Sequence, residues 1–326
     1  MTTTATALEA DTVVTELDRS SRAPVITRRA LQYALGALWL LDGALQLQSY
    51  MFTRGFARQI VAPAAAGQPF FVAGPVHWNA NLIALHPALF NGFFAATQLA
   101  LGVAFVIPRF CRWAIVASAI WAGGVWYLGE GLGGVAGGHM TALLGAPGAA
   151  LLYLVLALAA WPATAGSRGD SSVQPPSWTG SVWAVLWIGY AVLDLLPGNG
   201  ASPTVAGDLT TGAATVPQWL GVFDRRLASG VHGLGSAYAI LLVAAELTIG
   251  ILSLSRGSLR PVAYWSGIGL AALYWAAGQS FGQLFSGQAT DPSTGPLVML
   301  LGLAALGALP ATARSEGRRP VARLSW

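Results

Sequence analysis

Eight stretches of 17 to 22 residues run through this 326-residue chain almost without charge: 31–50, 86–107, 113–130, 143–162, 181–197, 236–254, 262–280 and 296–313. About 20 apolar residues are needed to cross the hydrocarbon core of a bilayer. Lipid offers no water to open backbone groups, and no stretch shows strand alternation, so helices are the expected form. Composition agrees, with 55% hydrophobic and 9% charged residues. Soluble domains carry about a quarter charged residues, so a water-soluble enzyme is excluded, and so apolar a chain does not stay solvated and disordered. The single cysteine, Cys111, excludes an intrachain disulfide framework, a CxxC redox pair and a cysteine-cluster metal site. The expected fold class is all-α, a polytopic membrane protein with eight transmembrane helices. The fifth and seventh stretches are the weakest, being short or interrupted by Gly and Ser.

All 17 basic residues are arginines. On so apolar a chain they point to lipid headgroups and membrane orientation, not to nucleic acid. With eight spans, both termini share one side with Arg19, Arg22, Arg28, Arg29, Arg109, Arg112, Arg168, Arg256, Arg260, Arg314, Arg318, Arg319 and Arg323, while Arg54, Arg58, Arg225 and Arg226 fall on the other. Thirteen against four places both termini in the cytoplasm of a multi-pass cell (plasma) membrane protein. Residues 1–28 read as a disordered cytoplasmic tail, 163–180 as a cytoplasmic linker and 314–326 as a basic cytoplasmic tail. Thr27-Arg28-Arg29 has the outline of a twin-arginine signal. The run after it holds Asp42 and lacks a nearby cleavage site, which favours a first span anchored by arginines.

Residues 29–162 and 181–313 resemble each other. Trp126-Tyr127-Leu128-Gly129-Glu130-Gly131-Leu132-Gly133 and Trp275-Ala276-Ala277-Gly278-Gln279-Ser280-Phe281-Gly282 share W-x-x-G-[EQ]-x-[LF]-G, and Gly138-His139 answers Gly287-Gln288. Leu41-Asp42 answers Leu193-Asp194, and Gln98-x-x-x-Gly102 answers Glu246-x-x-x-Gly250. Four spans per unit is an even number, so the two repeats are expected to be parallel, related by an axis along the membrane normal. Glycines four apart allow close helix packing, the plainer reason for their recurrence.

Each unit resembles the DoxX-like family of four-helix membrane proteins. The likeness rests on Arg29…Leu35-Gly36…Leu40-Leu41-Asp42-Gly43…Leu47, on the Gln98 or Glu246 helix with its glycine and basic turn (Arg109 and Arg112; Arg256 and Arg260), and on the glycine-rich end of the third helix. Long outer loops, 51–85 and 198–231, depart from a minimal member. The resemblance implies membrane redox or quinone-linked chemistry, by analogy alone.

Ionisable residues inside spans are expensive and need a reason. Asp42 and Asp194 are expected half-way across or slightly outward, Glu246 and Gln98 near mid-span, and Glu130, His86, His139 and His232 at the outer boundary. This distribution describes a polar pocket open outward. Glu130 and His139 are the sharpest pair, nine residues apart across a glycine-rich turn. With Asp42 they are the candidates for proton exchange. Asp194, Glu246, Gln98, Trp126, His86, His232 and Gln279 are candidate ligand-binding residues. Each has a plainer reading: buried carboxyls protonated and hydrogen-bonded, histidines wetted at the interface, loop residues facing solvent. His86, His139 and His232 suit zinc or copper in chemical type, but without a tight ligand spacing. The outer-loop arginines Arg54, Arg58, Arg225 and Arg226 read equally as an attraction for an anionic headgroup or substrate and as simple loop ion pairs, such as Asp224 with Arg225. Three functions fit: a DoxX-like redox or quinone-associated protein binding an amphiphile beside a membrane redox partner, a proton-coupled transporter or exporter, or a non-catalytic scaffold subunit. Polar groups gathered on one side favour the first.

Overall fold

A computed structural model describes residues 26–162, 174–214 and 216–309. Most of the expected tails and linker, with seven of the arginines, lie outside the described residues. Among those described, the chain is all-helical with no strand. Its helices are α1 (Arg28–Leu45), α2 (Phe70–Leu85), α3 (Pro87–Val106), α4 (Cys111–Leu128), α5 (Ala149–Ala159), α6 (Trp178–Asp194), α7 (Ser202–Gly212), α8 (Gln218–Leu234), α9 (Ser236–Ser253), α10 (Leu259–Ala276) and α11 (Thr294–Gly307).

Each apolar run contains a helix, but the long outer loops are themselves helical. The first holds short turns, a wide-turn segment at Phe56–Val61 and α2. The second holds the α7–α8 hairpin. The α3 and α9 helices are long and apolar enough to cross a membrane. Large apolar side chains stand exposed along the outside of the bundle, including Leu89 and Phe93 on α3, Ile120 on α4, Val185 on α6, and Ile240 and Leu241 on α9. A water-exposed surface rarely carries so many contiguous apolar side chains.

The helix pairing is the same in both halves. In the first, α1 packs on α3, α3 on α4, α4 on α5 and α5 back on α1; in the second, α6 packs on α9, α9 on α10, α10 on α11 and α11 on α6. The halves meet where α5 lies against α11. Small residues set the closest approaches: a Cβ on Gly102 would sit 2.8 Å from the Gly36 carbonyl oxygen, and one on Gly250 3.2 Å from that of Ala184.

The fourth and last helices are shorter than their apolar runs, 11 residues in α5 and 14 in α11. At 1.5 Å per residue they rise only about 16 and 21 Å, against a hydrocarbon core of about 30 Å. Glycine-rich, irregular backbone leads into both, and the W-x-x-G-[EQ] motif is what holds it. The Trp126 indole N–H donates to the Pro147 carbonyl at 2.8 Å, and the Trp275 indole to the Pro292 carbonyl at 2.7 Å. The Ala150 N–H, at the start of α5, donates to both Glu130 carboxyl oxygens at 3.0 and 3.2 Å. The Gly295 N–H, at the start of α11, donates to Gln279 Oε1 at 3.0 Å. Gly133 (φ +61°) and Gly282 (φ +66°) are left-handed and press on the carbonyls of Pro147 and Pro292, where a Cβ would collide.

Two further bonds cross between halves in matching positions. Gln48 Nε2 donates to Leu45 in its own helix end (2.9 Å) and to the Ala289 carbonyl in the other half (3.0 Å). Asn199 Nδ2 donates to Leu193 (2.8 Å) and to Gly138 in the other half (3.0 Å). Gly133→Ala and Gly282→Ala each remove the freedom these turns require and add a clash. Each is expected to destabilise by about 1–3 kcal/mol, seen as a lower melting temperature in detergent; unchanged melting would refute the close packing described.

Candidate functional site

A cavity of about 550 Å³ lies inside the first half, walled by α1, α3, α4 and α5 and covered by Phe56, Ile60, Val61 and Ile83 from the outer segment. Its polar lining includes Asp42 on α1 and Gln46 at its C-terminal cap, Gln98 on α3, Trp121 on α4 and Tyr153 on α5. Asp42 and Gln46, four residues apart on one helix face, both point inward. Gln46 Oε1, Gln98 Oε1 and the Trp121 indole N–H are buried with no hydrogen-bond partner in the protein, and the Asp42 carboxyl and Tyr153 hydroxyl face each other beside them. Buried polar groups are ordinarily paired. Three unmatched polar atoms and an Asp42–Tyr153 pair converging on one apolar-walled space form the pattern of a ligand site. On α4, Ala117, Ile120 and Gly124 line the cavity while standing exposed. The cavity thus opens sideways between α3 and α4, onto the apolar flank, and not simply outward as expected.

A second space of about 290 Å³ adjoins it on the outer side, lined by Gln68, His139, Met140 and Ser293. Glu130 and Asp291 line both spaces and form the polar wall between them. Asp291 belongs to the second half, reaching across on the loop before α11. Its carboxyl accepts from the Thr290 hydroxyl and the Ser293 N–H, both at 2.7 Å. Glu130 stands two residues beyond the end of α4. Its carboxyl stands near that of Asp291 and accepts from the Ala150 amide of α5. Burial raises the pKa of Asp291 above its ordinary value.

The expected residues sort into distinct places. Asp42, Gln98 and Glu130 share the large cavity, and Glu130 and His139 share the outer one. Asp42 and Asp194 stand in the last turns of α1 and α6, nearer the outer ends than mid-span. Asp194 and Glu246 form a separate cluster in the second half, where the Tyr274 hydroxyl donates to Glu246 Oε1 at 2.7 Å. Tyr274 holds the motif position of Val125, which lines the cavity in the first half. Trp126 and Gln279 are struts: the first holds Pro147, the second caps α11 and donates to the Ala142 carbonyl at 3.0 Å. His86, between α2 and α3, and His232, in the last turn of α8, are exposed and line neither space. Among the described residues no group of three or more His, Cys, Asp or Glu is placed to hold a metal, so His86, His139 and His232 do not assemble into one. No hydrogen bond joins Asp224 to Arg225: both Asp224 carboxyl oxygens are buried without a hydrogen-bond partner, and burial pushes that carboxyl up to about 6 against the pull of the nearby Arg225 guanidinium.

Gln46, Trp121, Tyr153 and Asp291 were not anticipated. The i, i+4 spacing from Asp42 would have found Gln46; nothing in sequence order places Asp291 beside Glu130. Glu130→Ala should lower the melting temperature in detergent by orphaning the Ala150 amide, a cost of about 1–3 kcal/mol, whereas Glu130→Gln, which copies Gln279, should keep most of the stability. Comparison with protein-family models, with curated proteins and with solved structures yields no match for this chain.

Proposed function

We propose that the chain is a DoxX-like integral protein of the cell membrane that binds a quinone-type amphiphile and serves membrane redox chemistry. In this reading α1, α3, α4 and α5 form one four-helix repeat and α6, α9, α10 and α11 a second, parallel one, with both termini cytoplasmic. Arginine placement and the exposed apolar flank support that arrangement. So do the short α5 and α11, since irregular backbone at membrane depth is tolerated where it is buried in protein or lines a cavity. The observation that carries the functional reading is the convergence of the unpartnered Gln46, Gln98 and Trp121 polar atoms with the Asp42–Tyr153 pair on one cavity.

The donors and acceptors fit a ring that carries oxygen at two positions. The Tyr153 hydroxyl and Trp121 indole offer N–H and O–H groups to a carbonyl oxygen. Asp42, Gln46 and Gln98 offer oxygens to a hydroxyl. The gap between α3 and α4 leaves room for an apolar tail to lie against lipid. A quinone, when bound, supplies exchange of two electrons and two protons. The chain's own part is to orient the head, exclude bulk water and hold protons. Asp42 takes or returns a proton at the ring. Glu130 and Asp291 stand between the cavity and the outer space, where His139 meets solvent. The electrons pass to or from a membrane redox partner.

The test is native mass spectrometry of the detergent-purified full chain, with extraction of bound lipid and titration with a soluble-tailed quinone. Wild type should bind it, and Gln98→Leu and Tyr153→Phe should each weaken binding about tenfold, the loss of one buried hydrogen bond. A chain that binds no quinone, or variants that bind as wild type does, would overturn the proposal. If Asp42→Asn alters only stability, the scaffold reading gains.

A further inference from the structure

The wide-turn segment that covers the cavity has a second face. Phe56, Ile60 and Val61 point to the cavity, while Arg54 and Arg58 line a separate space of about 420 Å³ on the other side. Four residues apart on a helical turn, the two arginines share a face. None of the seven described acidic residues lines that space, and neither guanidinium has a hydrogen bond or ion pair within the described chain. Completing the wall are Trp78, Asn81, Leu82 and Leu85 on α2. Trp78, Leu82 and Leu85 follow i, i+4, i+7 spacing, one helix face, with Trp78 and Leu85 more than half exposed. Two free guanidiniums, an indole and an aliphatic stripe thus surround one hollow.

We infer that this hollow binds the phosphate headgroup of an anionic phospholipid in the outer leaflet, with an acyl chain along Leu82 and Leu85. The inference rests on the membrane reading above, but not on the ligand of the large cavity. Guanidinium forks match phosphate oxygens bidentately and shed water more readily than an ammonium does. Trp is at home at headgroup level. Arginine on the outer side also runs against the orientation bias that the rest of the chain obeys, so topology does not account for it. The apolar stripe separates a lipid from a soluble anion, since inorganic phosphate has nothing to place on it.

The experiment uses delipidated full-length protein titrated with phosphatidylglycerol, with phosphatidylcholine of the same chains, and with inorganic phosphate, read by native mass spectrometry. Wild type should bind phosphatidylglycerol at least about tenfold better than phosphatidylcholine, and inorganic phosphate at millimolar concentration should not displace it. Arg54→Gln/Arg58→Gln should abolish the preference, while Arg54→Lys/Arg58→Lys keeps part of it. Melting near the wild-type temperature confirms that the variants fold. Equal binding of both lipids by wild type, or an undiminished preference in the double glutamine variant, would overturn the proposal. Displacement by inorganic phosphate would overturn it too, pointing to a soluble anion. Gln98→Leu, which disables the large cavity, should leave the lipid preference intact, so failure of the quinone reading shows separately. Release of the native chain from membranes by carbonate would show that the membrane reading itself has failed.

Discussion

The first amides of α5 and α11 constrain the rest of the molecule. A helix that begins within an apolar bundle leaves donors that its apolar surroundings cannot satisfy, and each unmet group costs several kcal/mol. The chain meets this with one side chain per half, Glu130 on Ala150 and Gln279 on Gly295, while an indole ties down the carbonyl just upstream. The glycines are a consequence. A backbone that must double back from a long helix, pass under a proline carbonyl and restart as a short helix has no room for a Cβ at Gly133 or Gly282. What reads in sequence as a candidate catalytic motif is first a device for starting a helix in the wrong solvent.

On that shared frame the halves differ in what fills them. Val125 lines the cavity in one, while Tyr274, at the same motif position in the other, donates to Glu246. The capping groups differ too. Gln279 uses its amide nitrogen on the Ala142 carbonyl and its oxygen on Gly295, whereas Glu130, equivalent in position, turns a carboxyl toward two adjoining spaces.

Much of this was legible in the sequence, and the physics says which part. Apolar runs fixed the helices because hydrophobicity accumulates over many residues, and α3 fell within one residue of its expected bounds at each end. Motif offsets found the paired struts, since both halves solve one packing problem. The short α5 and α11 were hidden because hydropathy does not distinguish a buried loop of Ala, Leu and Gly from a helix. His86 and His232 share a place in the pattern with residues that matter, yet the chain leaves them facing outward. Tyr153 and Asp291 were invisible because they reach the cavity through contacts between distant elements, which periodicity does not report. The amphipathic α8 and the helix α2 were missed because their charged or broken patterns resemble loop.

The bonds from Gln48 to Ala289 and from Asn199 to Gly138 make each half a lid-holder for its sibling. Through the loop that Gln48 grips, Asp291 is presented to Glu130. The wall of the amino-terminal cavity thereby includes a residue encoded 161 positions after Glu130, and drift in either half is answerable to the other. Such mutual custody is a reason for the two halves to stay fused in one polypeptide and not part into freely exchangeable subunits.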